Sequence, residues 1–264
     1  MEGTLKSSTM KRRRELLSTF PADVEAVSWN AHDWILRHDW VDGTRYTTML
    51  AIRVLFRWAD VPNHSIDCFK PRPPLSRGAE ALITPEQHQS VLDASDACYR
   101  EVFTLLHATG CRPGELCSLT ASDYFPESSA LVLDEHKTDK NGSKRIILLT
   151  AEAREIVERH IKEHPTGLLF WSTNGLPLRT NLIQFAMRRA CKKKKIIPIL
   201  FPYCYRHTFA TDLLARGVSE TLVAGLLGHA GTVVIHKHYS HLLGRMDALR
   251  EALNQRQEKK EKEI

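Results

Sequence analysis

Residues 108–116 read ATGCRPGEL, a stretch in which one helix is expected to end and another to begin. Gly110 is typical of a helix C-terminus, and Pro113 is typical of a first helical position. We therefore expect Arg112 in the turn between them, with Glu115 close enough to orient its guanidinium. On its own, the segment is equally compatible with a purely structural Arg–Glu pair.

Two further segments carry chemically capable side chains. Residues 203–211 read YCYRHTFAT and open a helix after an apolar run; Tyr203 and Arg206 share one face of it because they are three apart. A later Leu-Leu-Gly-His sequence ends a helix on glycine and presents His229, and Tyr239 follows ten residues on. Taken singly, Arg206 is compatible with an exposed helix arginine and Tyr239 with a half-buried core residue.

The elements around these segments predict a mainly α-helical fold with a small β-sheet, of the α+β class. Apolar residues recur at helical spacing along most of the chain. Two short β-branched runs, 130–133 and 145–149, are joined by a polar segment containing Asn-Gly, which predicts a β-hairpin. Residues 168–171 are a candidate third strand. Strands and helices do not alternate as βαβ units, so a parallel sheet is not expected.

Composition divides the chain into five parts. Residues 1–15 are basic and lack hydrophobic periodicity, which predicts a flexible arm. Residues 16–61 are predicted to form a helical domain. Residues 62–81 contain four prolines in a polar, basic context and are predicted to be a linker. Residues 82–250 form the larger domain, and residues 251–264 are a charged tail.

Overall composition narrows the class of protein. With 42% hydrophobic and 26% charged residues, the chain is expected to be globular. No apolar run approaches the roughly 20 residues of a membrane helix, and the N-terminus lacks the apolar stretch of a secretory signal. Six cysteines form no Cys-x-x-Cys pair, which favours reduced thiols. We therefore expect a cytoplasmic protein with no membrane partner.

The charge of the chain favours a polyanionic partner. The formal net charge is +6, and the bases cluster while the acids are spread. Nucleic acid fits this footprint, although a solvated basic surface would give the same charge. Arg53 and Arg57, four apart on a helix, are candidate phosphate contacts, with surface solubility as the alternative. The further DNA-binding candidates are Lys192, Lys193, Lys194 and Lys195.

Together these segments resemble the tyrosine recombinase (phage integrase) family. The order Gly-x-Arg-x-x-Glu-Leu, a hairpin lysine, Arg-His-Thr-Phe-Ala-Thr, Leu-Leu-Gly-His and finally Tyr runs across residues 109–239. The N-terminal helical region is similar, less specifically, to the family's core-binding domain and is shorter. The resemblance implies a helical core-binding domain and an integrase-type catalytic domain, which close around double-stranded DNA.

The resemblance also implies site-specific strand exchange through a 3′-phosphotyrosyl intermediate. Tyr239 would be the nucleophile, and Arg112 and Arg206 would grip the scissile phosphate. A guanidinium is always charged and matches phosphate oxygens with two parallel donors. Because the covalent link preserves the energy of the phosphodiester bond, rejoining needs no ATP.

The resemblance also assigns the family's remaining roles to residues of this chain. Lys137 aligns with the lysine that protonates the 5′-oxygen leaving group, although Lys140 and Lys144 lie on the same hairpin and stay alternatives. His229 would hydrogen-bond the phosphate or the tyrosine. Glu115 would support Arg112 without touching DNA.

One position departs from the family pattern. Histidine most often stands three residues before the second arginine, and here that residue is Tyr203. A phenol with a pKa near 10 is a poor proton acceptor at neutral pH, but it can hydrogen-bond a phosphate oxygen. His207 is a candidate substitute, yet it is turned about 100° away from Arg206 on a helix, and we expect it to be structural.

No metal or cofactor is expected. His236, His238 and His241 surround Tyr239, but no cysteine or carboxylate completes a zinc site, and no phosphate-binding glycine loop is present. The family implies four protomers on two DNA sites, a monomer or dimer when free, and a place in the nucleoid. Two alternatives stay open: a type IB topoisomerase-like enzyme, and a DNA-binding regulator that has lost the chemistry.

Overall fold

The computed structural model comprises two compact units, residues 1–76 and 77–264. The structure describes residues 7–20, 28–60, 82–133 and 144–228. The predictions for the following residues lie outside the described ones: the linker 62–81, the hairpin turn with Lys137 and Lys140, and the C-terminal residues from His229 on, which include Tyr239 and the tail. No helix in the described ranges is long and apolar enough to cross a membrane.

The first unit contains three described helices, α1 (Ser7–Leu17), α2 (Ser28–Arg37) and α3 (Asp42–Trp58). Helices α1 and α2 both pack on α3. The predicted stripe of Met49, Ile52 and Phe56 is buried, as its spacing of three and four residues requires. Arg53 and Arg57 lie outside this buried stripe of α3.

The N-terminal residues differ from the expectation of an arm, because residues 7–15 belong to α1. The apolar contacts of this helix come from its last turn, where Leu16 is buried and Leu17 packs against the core of α2 and α3. A single apolar turn at one end produces no periodicity over the basic residues before it. Hydrophobic spacing therefore could not reveal this helix.

The second unit is mainly helical with a small antiparallel sheet. Its helices are α4 (Pro85–Ala94), α5 (Ala97–Thr109), α6 (Pro113–Leu116), α7 (Ala151–Glu163), α8 (Thr180–Lys193), α9 (Tyr203–Ala215) and α10 (Glu220–Leu227). Its strands are β1 (Tyr124–Phe125), β2 (Ala130–Leu133) and β3 (Arg145–Leu148). The predicted fold class, mainly α with a small sheet, is confirmed.

The sheet has the order β1-β2-β3, with Leu131 opposite Ile147 and Leu133 opposite Arg145. The predicted hairpin strands are β2 and β3. The third strand, however, is β1 and not residues 168–171, which form only isolated bridges. Leu169 and Phe170 are buried there, so their apolar character reflects core packing and not sheet pairing.

Local capping and close packing position the helices around the site. Thr84 and Gln87 form a capping box at the start of α4, where the order Thr-Pro-Glu-Gln is typical of a helix N-terminus. Gly110 ends α5 with φ +60°, and a Cβ added there would lie 2.5 Å from Cδ1 of Phe209. The turn before Arg112 therefore lies directly against α9, the helix that carries Arg206.

Candidate active site

Arg112 immediately precedes α6, and Glu115 fixes its conformation. The backbone N–H of Arg112 donates to Oε2 of Glu115 at 2.8 Å, and its Nη1 donates to Oε1 at 2.7 Å. Both residues are buried, at 8% and 6% exposure. The carboxylate thus holds the backbone and the guanidinium of Arg112 at once, as the i, i+3 spacing allows.

A second arginine, Arg145, faces the same carboxylate. Its Nε lies 3.5 Å from Oε1 of Glu115, and its side chain is only 1% exposed. The sequence pattern predicted Arg145 as the first residue of a strand and assigned it no place in the site. Strand alternation could have indicated that Arg145 is buried, because Arg145 and Ile147 share the inward face of β3. A charged side chain at an inward position needs a partner of opposite charge or a hydrogen-bond acceptor.

Arg206 is buried on α9 and is held by two backbone carbonyl groups. Its Nη1 donates to the carbonyl oxygen of Gly110 at 2.9 Å, and its Nη2 donates to that of Leu227 at 2.5 Å. Burial, followed by the positive charge of Arg112, lowers the pKa of Arg206 to about 10. The guanidinium therefore stays charged at neutral pH.

The three arginines converge on the C-terminal end of α10. Three consecutive carbonyl oxygens there each accept a hydrogen bond from one of them. The pairs are Arg145 with Leu226 at 2.8 Å, Arg206 with Leu227 at 2.5 Å and Arg112 with Gly228 at 3.4 Å. A helix C-terminus carries partial negative charge, so this end of α10 gathers the cations.

Glu115 is the carboxylate that faces the three arginines within the described part of the chain. Burial raises the pKa of Glu115, but the charge of Arg145, the backbone N–H of Arg112 and the guanidinium of Arg112 outweigh it, and the net pKa is lowered. Glu115 is therefore ionised at neutral pH. Among the described residues of this cluster, one carboxylate faces three guanidinium groups, an arrangement suited to an anionic ligand.

A cavity of about 580 Å³ opens beside this cluster. It is lined by Arg112 and Glu115, by Tyr203 at the start of α9, and by Thr180 and Gln184 of α8. Tyr203 is 39% exposed and is one of the residues that line this cavity. The structure therefore brings together Arg112, Glu115 and Tyr203 at one opening.

His207 occupies a different position from Tyr203 on the same helix. It is half-buried, and among the described residues of α9 it is Tyr203 and not His207 that lines the cavity. This placement agrees with the expected turn of about 100° per residue. A role of His207 in place of the family histidine receives no support from this geometry.

The predicted DNA contacts lie on helix surfaces of the two units. Arg57 is exposed and Arg53 half-buried on α3. Lys192, Lys193, Lys194 and Lys195 are all exposed at the end of α8. One of them already has a carboxylate neighbour, since Nζ of Lys194 lies 3.7 Å from Asp93.

Across the described ranges, no group of three or more His, Cys, Asp or Glu side chains is arranged to hold a metal ion. Within the same ranges the cysteines are free thiols, and burial raises the pKa of Cys111, next to Arg112, to about 12. The thiol beside Arg112 is therefore protonated at neutral pH.

Comparison with known proteins identifies the family. The model of the phage integrase family matches residues 81–245 of this chain. The chain belongs to the phage integrase family. The predicted resemblance is thereby confirmed, and the matched region contains Arg112, Arg145, Arg206 and Tyr239.

Curated relatives in the family are tyrosine recombinases. Tyrosine recombinase XerC of Mesorhizobium japonicum is 31% identical over 181 residues, which cover 58% of this chain and 56% of that protein. Tyrosine recombinase XerA of Saccharolobus solfataricus is 28% identical over 207 residues, which cover 76% of this chain and 64% of that protein. The chain thus spans about three fifths of the length of these relatives.

Solved structures of integrases share the fold. The Tn1549 transposon integrase in complex with transposon right end DNA has a TM-score of 0.73 at 21% identity, with coverage of 96% of this chain and 95% of that chain. A lambda integrase dimer bound to a COC′ core site has a TM-score of 0.70 at 18% identity, with coverage of 91% and 73%. These likenesses establish the fold of this family member.

Proposed function

We propose that this phage integrase family member is a site-specific DNA recombinase of the tyrosine type, which cleaves and rejoins DNA through a 3′-phosphotyrosyl intermediate. The observation that supports this most is the anchoring of Arg112 and Arg206 at one helix end, with positive charge that Glu115 alone does not balance. Curated relatives that are tyrosine recombinases support the same reaction.

The arginine pair would act on the scissile phosphate. As phosphorus becomes pentacoordinate, negative charge accumulates on its non-bridging oxygens, and donors fixed beforehand stabilise that charge without reorganising. Arg112 is fixed by Glu115, and Arg206 by the carbonyl groups of Gly110 and Leu227. Removing one such donor typically lowers the rate about 100- to 1,000-fold.

The covalent step follows from the residues that the family resemblance assigns. The phenolic oxygen of Tyr239 forms a bond to phosphorus while the bond to the 5′-oxygen breaks, and the phenolic proton passes to solvent water. Lys137 supplies a proton to the departing 5′-oxygen. The free 5′-hydroxyl of the cleaved or partner strand then attacks the phosphotyrosine, which restores the phosphodiester and the tyrosine.

Tyr203 has a binding role in this proposal and no role as the base. Its place at the cavity beside Arg112 supports donation of a hydrogen bond from its hydroxyl to a phosphate oxygen. A phenol hydroxyl can donate a hydrogen bond to a phosphate oxygen, whereas the family's usual imidazole could also act as a proton acceptor.

Double-stranded DNA is the proposed partner, with four protomers on two synapsed sites. A lambda integrase tetramer bound to a Holliday junction shares the fold, with a TM-score of 0.68. Phosphate contacts from Arg53, Arg57 and the lysines 192–195 would be independent of sequence. With these partners the protein would work in the cytoplasm, on the nucleoid, without a metal or cofactor.

The test is covalent trapping on nicked suicide DNA, tiled across the sequence that flanks the gene. The expected result is an SDS-resistant adduct with the wild type that is lost in Tyr239→Phe and reduced at least 100-fold in Arg112→Ala. Arg154→Ala is the matched control, because Arg154 pairs with Glu158 on α7. Specific binding without an adduct would identify a regulator, and relaxation of any plasmid without synapsis would identify a topoisomerase-like enzyme.

A further inference from the structure

Arg145 is a buried cation that the proposed reaction does not use. Its side chain is 1% exposed, lies 3.5 Å from Glu115 and donates to the carbonyl oxygen of Leu226 at 2.8 Å. No described residue accepts a hydrogen bond from its Nη2. The guanidinium therefore lies between the carboxylate that orients Arg112 and the helix end that holds Arg206.

The contribution of Arg145 to stability does not by itself account for a charge at this place. A buried ion pair repays its desolvation only when its geometry is good, and apolar replacements of such pairs are often neutral or stabilising. The pair of Arg145 with Glu115 is long, and one of its terminal nitrogens is unsatisfied among the described residues. This arrangement favours a role of Arg145 in positioning the side chains and carbonyl groups around it.

Gly228 shows how closely Arg145 approaches the end of α10. Gly228 has φ +64°, and a Cβ at this position would lie 2.6 Å from Cδ and 2.8 Å from Nε of Arg145. The last turn of α10 is thus packed directly on the Arg145 side chain. Movement of that side chain would move the carbonyl groups that bind Arg206 and Arg112.

We propose that Arg145 is a positioning residue that sets the geometry of the phosphate-binding pair. It acts on Arg112 through Glu115 and on Arg206 through the C-terminal turn of α10, and it does not touch DNA itself. This inference rests on the proposed function. Because a misplacement of about 1 Å can lower a rate about 100-fold, loss of Arg145 lowers cleavage much more than DNA affinity.

The experiment compares Arg145→Met and Arg145→Lys with the wild type and with Arg154→Met as matched control. Two quantities are measured on the full chain: the dissociation constant for nicked DNA and the rate of adduct formation at saturating DNA. We expect Arg145→Met to bind DNA within threefold of wild type and to react about 100-fold more slowly. Lysine retains the charge but cannot contact Glu115 and Leu226 with separate nitrogens, so Arg145→Lys recovers part of the rate.

A second measurement separates positioning from a general effect on folding. Thermal unfolding of each variant is followed while inorganic sulfate is added as a phosphate-like anion. The wild type and Arg154→Met are expected to unfold at higher temperature with sulfate, and Arg145→Met to respond much less, because its arginine pair is misplaced. If Arg145→Met does not fold, the rate and affinity of Arg145→Lys decide.

The route through Glu115 is tested by a double-mutant cycle. Glu115→Gln alone is expected to slow adduct formation, and adding Arg145→Met is expected to slow it by less than the product of the two single effects. Fully multiplicative effects would overturn this route.

The outcomes distinguish this inference from the proposed function. The inference is overturned if Arg145→Met forms the adduct at a rate within threefold of wild type. It is also overturned if Arg145→Met loses DNA affinity and adduct rate by the same factor and Arg145→Lys recovers neither. If the wild type forms no adduct on any DNA, the proposed function fails and the sulfate measurement decides. An equal sulfate response in Arg145→Met and wild type, or none in either, then overturns the inference as well.

Discussion

Replacing Glu115 by glutamine removes a carboxylate that faces two buried guanidinium groups. Oε1 of Glu115 lies 2.7 Å from Nη1 of Arg112 and 3.5 Å from Nε of Arg145. Glutamine keeps the size and one oxygen acceptor, so the hydrogen bond from the backbone N–H of Arg112 can persist. What is lost is the negative charge in a buried place.

The magnitude follows from the burial of all three side chains. Removing one partner of a buried ion pair typically costs about 3–5 kcal/mol, and we expect the lower end, about 3 kcal/mol, because glutamine retains one hydrogen bond. For a domain of 150–250 residues, this is a decrease in melting temperature of about 6–12 °C.

The loss is also predicted to depend on pH. The pKa of Glu115 is lowered in the folded chain by Arg145 and Arg112, which together outweigh burial. The stabilisation is therefore complete above the pKa of an unfolded glutamate, about 4.3, and disappears as the pH falls through the lower pKa of the folded state. The difference between wild type and Glu115→Gln is expected at pH 7 and closes on acidification below this range.

The assay is urea denaturation of the full chain, followed by far-ultraviolet circular dichroism at pH 7 and at acidic pH. Glu158→Gln is the matched control, because Glu158 pairs with Arg154 at the surface and glutamine keeps an oxygen that can accept from the Tyr124 hydroxyl. This change is expected to leave the free energy of unfolding almost unchanged. A decrease below about 1 kcal/mol at pH 7 for Glu115→Gln, or a difference that persists unchanged in acid, would refute the reasoning.

Three further predictions concern the surroundings of the site. Gly110→Ala is expected to destabilise the chain by about 1–3 kcal/mol in urea, because φ is +60° and the added methyl group would overlap Phe209. His88 has its pKa lowered to about 4 by burial and then by the charge of His107. The unfolded chain therefore takes up a proton as the pH falls from about 6.5 to 4, and the full linkage for such a shift is about 3 kcal/mol. Because His88 is only half-buried and solvent screens its charge, we expect His88→Gln to reduce the acid-dependent loss of unfolding free energy by about 2 kcal/mol. Tyr203→Phe is expected to slow adduct formation about tenfold at saturating DNA through loss of one hydrogen bond to phosphate, about 1.4 kcal/mol.

Each of these three has a result that contradicts it. Unchanged urea stability of Gly110→Ala would show that α5 and α9 are not in the close contact described. An identical pH dependence of unfolding in wild type and His88→Gln would show that His88 is not kept neutral by the fold. An unchanged adduct rate in Tyr203→Phe would show that Tyr203 does not bind the phosphate. Tyr203→His, which carries the family's usual residue, is the comparison variant.

Features built from neighbouring residues could be predicted from the sequence. The capping box at Thr84 and the end of α5 at Gly110 each depend on residues within one helical turn. The approach of Glu115 to Arg112 likewise depends on a spacing of three residues across a turn. Short-range spacing and residue type are enough in these cases, because the backbone between the partners has few alternatives.

Two features could not be predicted from the sequence, because they depend on how a segment packs against the rest of its unit. The prediction of a strand at residues 168–171 was wrong, because a buried apolar run does not reveal whether it pairs with a sheet or packs in a core. The helix at residues 7–17 was missed because its apolar contacts are confined to one turn.

The sequence by itself determined the family, the mainly helical class and the pairing of Arg112 with Glu115, since motif order and local spacing contain that information. Only the tertiary structure decided that Arg145 joins them. Its contact with Leu226 spans 81 residues, and no periodic pattern relates a strand to a helix end at that separation. Long-range burial of a charge is a property of the packed chain, because the partners that neutralise it are brought together only when the sheet and the helices fold against one another.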